Sequence, residues 1–405
     1  MRGLSSLAAI LLILACLQLA QPVGASAVPV LEYSYVDVEV RELSGVVYAN
    51  GTIYAAGSTG GYVVVAAYRD GARLWMQTIS LPGSPSILDF KLRGGALDAI
   101  VYTRAQANSS LWLLRVGLDG SLLERRVYAT LYPRLFPLVA LRIGDSIYVA
   151  GSSYLLGFEL NYMVARVSER GVEWVIEDLG GPGNDSFKCL VAVAGSRLLA
   201  AGDNTTSALI ALISQTGSIL GYTTISYPNS TITVNGCLKL SESRVVLYGA
   251  LNAKPLILPV AVDQGRVAPE EAKVLNLTGV ITAAASRGDL IAFYMSSGDN
   301  SLLAIYSIDG SMLKPLNVYN ITGVARGYIA LSAAFENSRL ASAASNGASS
   351  LILSLVITLA QSEPRLPRIP FLEVLGDPRL TLVLLTFIVL LVATIAYLRL
   401  KRRKA

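Results

Sequence analysis

The chain has 405 residues, of which 53% are hydrophobic and 15% charged, and it contains no histidine. That charged fraction lies well below the roughly 25% usual for soluble domains. The missing histidines exclude His-based triads, the commonest proton shuttle, and the usual zinc and copper ligands.

Residues 1–27 carry Arg2, an apolar run over 4–19 and the small-residue site Ala25-Ser26-Ala27. This is the pattern of a secretory signal peptide, with a first membrane anchor as the plainer alternative. A lipoprotein reading of Cys16 is the weaker option, because the Ala-Ser-Ala site lies downstream.

From residue 28 to 359 the chain repeats. Apolar strands ending in a polar-glycine turn occur at 62–71 (YVVVAAYRDG), 111–120, 162–171 (YMVARVSERG), 208–217, 256–265 and 302–310. Their glycines, Gly71, Gly120, Gly171, Gly217, Gly265 and Gly310, lie 49, 51, 46, 48 and 45 residues apart. A turn glycine between apolar runs predicts a hairpin, because glycine takes the positive φ that such turns need. Four short strands per unit at this period predict an all-β, seven-bladed propeller of four-stranded antiparallel blades. The seven inner strands are expected at 43–49, 87–92, 137–143, 187–193, 236–240, 280–286 and 329–334.

The seventh unit lacks a fourth strand after 351–357, whereas 32–40 (EYSYVDVEV) has no unit of its own. That N-terminal strand is therefore expected to close the last blade. A pair of β-sandwiches is the alternative, but it would need a linker that the regular period leaves no room for.

The unit at 147–185 reads IYVAGS, then YMVARVSERG, then Trp174, then Gly180-Gly-Pro-Gly-Asn-Asp185. It resembles a family of propeller repeats found on secreted bacterial and archaeal proteins. The match is good in that unit, partial over 53–75, and reduced to spacing elsewhere. The resemblance implies the fold and an exported location; it carries no shared activity.

Residues 360–379 hold Pro364, Pro367, Pro370 and Pro378 and read as a stalk, semi-rigid at about 3 Å per residue. Residues 380–398 carry no charge and are long enough to span a bilayer as one C-terminal transmembrane helix. The basic tail 399–405 places the cytoplasm after them and the propeller outside. Of the 33 basic residues, six (Arg2 and five in the tail) lie outside the exported part, which leaves 27 against 28 acidic ones. The formal charge of +5 thus belongs to the tail, and nucleic acid is not an expected partner.

Asn-x-Ser/Thr triplets begin at Asn50, Asn108, Asn184, Asn204, Asn229, Asn276 and Asn320. Seven is an excess over the about two expected by chance from 14 asparagines. All but Asn50 are expected between second and third strands or after fourth strands, hence on one face, which the stalk geometry turns outward. These seven are the glycosylation candidates; polar loops rich in Asn, Ser and Thr are the alternative.

Cys189 and Cys237 open inner strands of adjacent blades, where a disulfide and two buried thiols are both open. Asp185, Asp203 and Asp299 are expected in loops of the outward face, as turn caps or as oxygen ligands for calcium. Trp75, Trp112 and Trp174 are expected to pack between blades. No P-loop, dinucleotide fingerprint or nucleophile elbow occurs in usable context, and no cofactor is expected. The expected function is a membrane-anchored binding module for a protein or glycan of the cell envelope. The alternative is an extracellular hydrolase or lyase using carboxylates at the channel mouth.

Overall fold

The computed structural model describes residues 28–38 and 42–360, apart from 106–107, 155–158, 181–182, 264, 310–311, 337 and 347–348. The 45–51-residue period becomes seven sheets, spanning 42–80, 84–131, 135–179, 186–226, 232–274, 280–320 and 329–360. Strands pair in chain order within each sheet, first with second, second with third, third with fourth. In the seventh, Ser350–Ala360 takes Val28–Val38 as its outer neighbour, so the two described ends of the chain share one blade. The fold is a seven-bladed propeller closed by its N-terminal strand.

Apolar clusters fill all seven interfaces between neighbouring blades, with a second, smaller one of Ala208, Ile232, Val234 and Leu256 between the fourth and fifth. Every sheet is therefore covered on both faces. The second and third strands, deepest in each blade, read as continuous apolar runs: Thr52–Thr59 and Ser207–Ser214 bury nearly every residue. Outer strands have water on one side and alternate instead, as Ile219–Ser226 does. Burying each large aliphatic side chain contributes about 1.5–3 kcal/mol, so the blades are held mainly by one another.

Two devices recur. The indole N–H of Trp75, on the outer strand Ala72–Ser80, donates to the Leu118 carbonyl of the next blade at 2.9 Å. Trp174, on Gly171–Leu179, donates likewise to Gln215 at 3.3 Å. Gly120 and Gly217 lie beneath these rings, and a Cβ on either would meet the indole at 2.8 Å. The turn glycine thus supplies positive φ and makes room for the preceding blade's tryptophan. Trp112 differs: its N–H donates to Thr103 within its own blade.

The fifth blade departs from the expected pattern. Its outer strand splits into Arg266–Pro269 and Lys273–Val274, flanking the stretch opposite Leu258 and Pro259. Proline brings no N–H to a ladder, and the chain bulges away there.

Among the described residues no helix is long and apolar enough to cross a membrane; one helical turn, Thr322–Ala325, precedes the last blade. The expectations for 1–27 and 361–405 lie outside the described residues.

Candidate functional site

All seven inner strands carry a β-bulge at the equivalent place. The extra residues are Ser44, Leu88, Leu138, Lys188, Asn235, Thr282 and Leu331. Each is at least partly exposed, and in six blades the residue just before it is buried. A bulge re-aims its extra residue out of the ladder, and on an innermost strand the unpaired edge faces the axis. Ser44 and Leu88 line a cleft of about 490 Å³ along the inner strands of the seventh, first and second blades. The bulges lie three to five residues into each strand, so the ring sits near the face where fourth strands hand over to first strands.

The ring is two-sided. Lys188 and Asn235 are engaged within the protein: Lys188 Nζ lies 2.8 Å from Asp203 Oδ2, and Asn235 Nδ2 donates to the Ile281 carbonyl at 2.8 Å. Across the axis, Leu331, Leu88 and Leu138 of the seventh, second and third blades form an apolar arc interrupted by Ser44 of the first, with Leu138 46% and Leu331 44% exposed. Lys188 and Asn235 are thus engaged on one side of the mouth, and mainly apolar side chains stand on the other.

This bulge also explains the glycines of the second strands. Small residues suit strands of blades that converge on an axis; the structure gives these glycines a more specific cause. Gly151, Gly202 and Gly249 pair with the residue that opens each bulge. A Cβ on them would lie 2.1, 1.8 and 1.9 Å from the carbonyl oxygens of Phe136, Ser186 and Thr233.

The aspartates expected as loop ligands divide. Asp203 ends the strand Arg197–Asp203 and is buried, and its Oδ2 accepts from Lys188 and from the Val234 amide of the next blade at 2.9 Å. Asp185 is buried as well: its amide donates to Leu160 O, and its carbonyl accepts from the Ser152 hydroxyl at 2.9 Å. The Gly-Asn-Asp segment therefore locks the entry of the fourth blade onto the third. Burial, then the charges of Asp185 and Asp203, push the Tyr162 phenol pKa far upward. Asp299 is exposed and pairs with Arg326 at 3.2 Å. Among the described residues no group of three or more His, Cys, Asp or Glu is placed to hold a metal ion.

Asp89, which follows the bulge residue Leu88 and lines the same cleft, pairs with Lys91 at 3.0 Å and Arg93 at 3.2 Å. Burial raises the Asp98 carboxyl pKa, opposed by Arg115, Arg142 and Arg93. Its Oδ2 lies 3.0 Å from Arg142 and its Oδ1 3.5 Å from Arg115. These carboxylates hold guanidinium groups in place between blades.

Of the glycosylation candidates, Asn50 sits in a first-to-second turn with φ +53°, while Asn184, Asn229, Asn276 and Asn320 are exposed on the other face. Asn204 is half-buried there, its Oδ1 accepting from the Thr206 and Ser207 amides at 3.2 and 2.8 Å. Asn108 begins the strand Asn108–Gly117, at the same face.

Cys189 and Cys237 meet across the fourth and fifth blades, their sulfurs joined and their Cα atoms 5.5 Å apart. Cross-linking residues 48 apart restricts the unfolded chain by about 4 kcal/mol in the chain-entropy account. Cys237→Ser should therefore lower the denaturation midpoint by the equivalent of about 2–4 kcal/mol. Reduction should bring the native chain to the same midpoint. A native midpoint unmoved by reductant would mean that the thiols are not joined.

No protein-family model matches the sequence. The curated proteins contain no detectable relative. Among solved structures, the chain is similar to the WD40 domain of Toxoplasma gondii coronin, with a TM-score of 0.52 at 11% identity, covering 84% of this chain and 90% of that one. The likeness establishes the propeller. It leaves the secreted-repeat resemblance without support beyond the fold.

Proposed function

We propose that the protein is a binding module displayed outside the cell, carried by the signal segment at 1–27 and the apolar segment at 380–398, with its bulge-ring face turned outward. The observation that carries this reading is the axial mouth itself, an apolar arc of Leu331, Leu88 and Leu138 beside polar groups already engaged within the protein. A rigid ring of loops with exposed apolar anchors suits recognition of a partner, a common use of propellers. A hydrolase or lyase would need a carboxylate free to accept or donate a proton near the channel, and both Asp89 and Asp98 are held by guanidinium groups. In this reading the sequons of the outward face carry glycans that frame the mouth.

Tagging the basic tail and purifying the chain gently from native membranes should recover a defined envelope partner in stoichiometric amount. Intact mass of the same preparation should exceed the polypeptide mass by whole glycans. A chain recovered alone would overturn the binding reading, and a bare polypeptide mass would overturn the glycan frame.

A further inference from the structure

Next to the apolar arc, where the second blade meets the third, several aromatic and guanidinium groups gather on the same face. Arg104 lies near the end of the second strand of its blade, Ala96–Ala105, and is exposed. Its guanidinium lies over the Phe136 ring, 4.4 Å from the centroid. Phe136 is near the start of the inner strand Leu135–Ile143, two residues before the bulge residue Leu138. Tyr154, at the end of Ser146–Tyr154, meets Phe136 edge to face at 5.0 Å and is 42% exposed. Beside them Arg134 lies 4.9 Å from the centroid of the exposed Tyr132 ring.

The two arginines differ in charge balance. Arg134 is clamped by Glu177 through two bonds of 2.9 Å. Among the described residues no carboxylate pairs with Arg104. A guanidinium stacked on an aromatic face is held in one plane, so the donors along its edge are pre-organised for a bidentate carboxylate. Exposed tyrosine, arginine and leucine together also match the composition of interaction hot spots.

Resting on the binding reading above, we infer that Arg104, Phe136, Tyr154 and Leu138 form the docking surface for an acidic polypeptide segment of a partner protein. A carboxylate of that segment takes the Arg104 edge, and an adjacent apolar side chain takes Leu138. The alternative of a sugar fits less well. Sugars stack on bare aromatic faces, whereas here guanidinium groups occupy a face of Phe136 and of Tyr132.

The test pans a random dodecapeptide display library on the purified full-length chain and measures the selected peptides by fluorescence anisotropy. Selected peptides should be enriched in Asp and Glu and should bind Arg104→Ala about tenfold or more weakly, the loss of one charge-assisted bidentate contact. Arg104→Lys should recover only part of the affinity, because an ammonium cannot present the planar fork. Phe136→Leu should weaken binding about threefold by releasing the stack. Arg326→Ala, distant on the same face, should change nothing. Peptides without acidic enrichment, no selected peptide at all, or equal affinity for the native chain and Arg104→Ala would each overturn the assignment. So would full displacement by alginate together with failure of the acidic peptides. None of those results touches the partner recovered through the tail tag, so failure of this site and failure of the binding reading remain separable.

Discussion

A chain lacking residues 28–38 is expected not to fold to a cooperative, soluble monomer. Val28–Val38 is the outer strand of the seventh blade, so its removal uncovers the edge of Ser350–Ala360. That strand buries apolar side chains on both faces, with Leu351, Leu353, Leu355 and Ile357 against the sixth blade and Ile352 against the first. A long unpaired apolar edge recruits other chains. Ladder hydrogen bonds contribute about 1 kcal/mol each, so an eleven-residue strand contributes on the order of 5–10 kcal/mol, which is comparable to the whole stability of a domain. The measurement is size-exclusion chromatography with circular dichroism on the truncated chain, alone and with a synthetic 28–38 peptide. Oligomers or aggregate alone, returning to monomer with the peptide, is the expected pair of results. A truncated chain that melts cooperatively as a monomer at the native temperature would show that closure by this strand is dispensable.

The second large effect concerns two glycines that look alike in the sequence. Gly202→Ala is expected to destabilise the protein by about 3 kcal/mol or more, and Gly71→Ala by about 1 kcal/mol. At Gly202 a Cβ would lie 1.8 Å from the Ser186 carbonyl oxygen and 2.7 Å from the Phe187 Cα. Both are backbone atoms of the inner strand, so relief requires moving the bulge itself and, through Phe187, the packing between the third and fourth blades. At Gly71 a Cβ would meet nothing within 4 Å, and the cost is only that of holding φ at +80° with a side chain. Melting temperatures should therefore fall by about 4 °C or more for Gly202→Ala and by about 1–2 °C for Gly71→Ala. Equal shifts would mean that the close approach in the fourth blade relaxes freely.

Much of the architecture was legible because it is local and repeated. The turn glycines Gly71, Gly120, Gly171, Gly217 and Gly265 all take positive φ, as the hairpin spacing required. The orphan strand before the first unit and the missing strand after the last could be matched by counting. Asp185 and Asp203 were expected in exposed loops, as turn caps or calcium ligands, and are buried instead because their partners, Ser152 and the Val234 amide, belong to neighbouring blades. The broken outer strand of the fifth blade had a signal in Pro259 and Pro269, which the glycine period alone passed over.

The sequence by itself determined the number of blades, the order of strands and the closure, because each follows from apolar runs and glycine turns that recur along the chain every 45–51 residues. Only the tertiary structure decided which glycine is irreplaceable, which tryptophans clasp the next blade, and that seven unrelated side chains share one ring at the axis. It also decided that Arg104 stacks on Phe136, 32 residues further along the chain. Those contacts are made between sheets, and their geometry is set by closing seven blades around an axis, which no local pattern in the chain records.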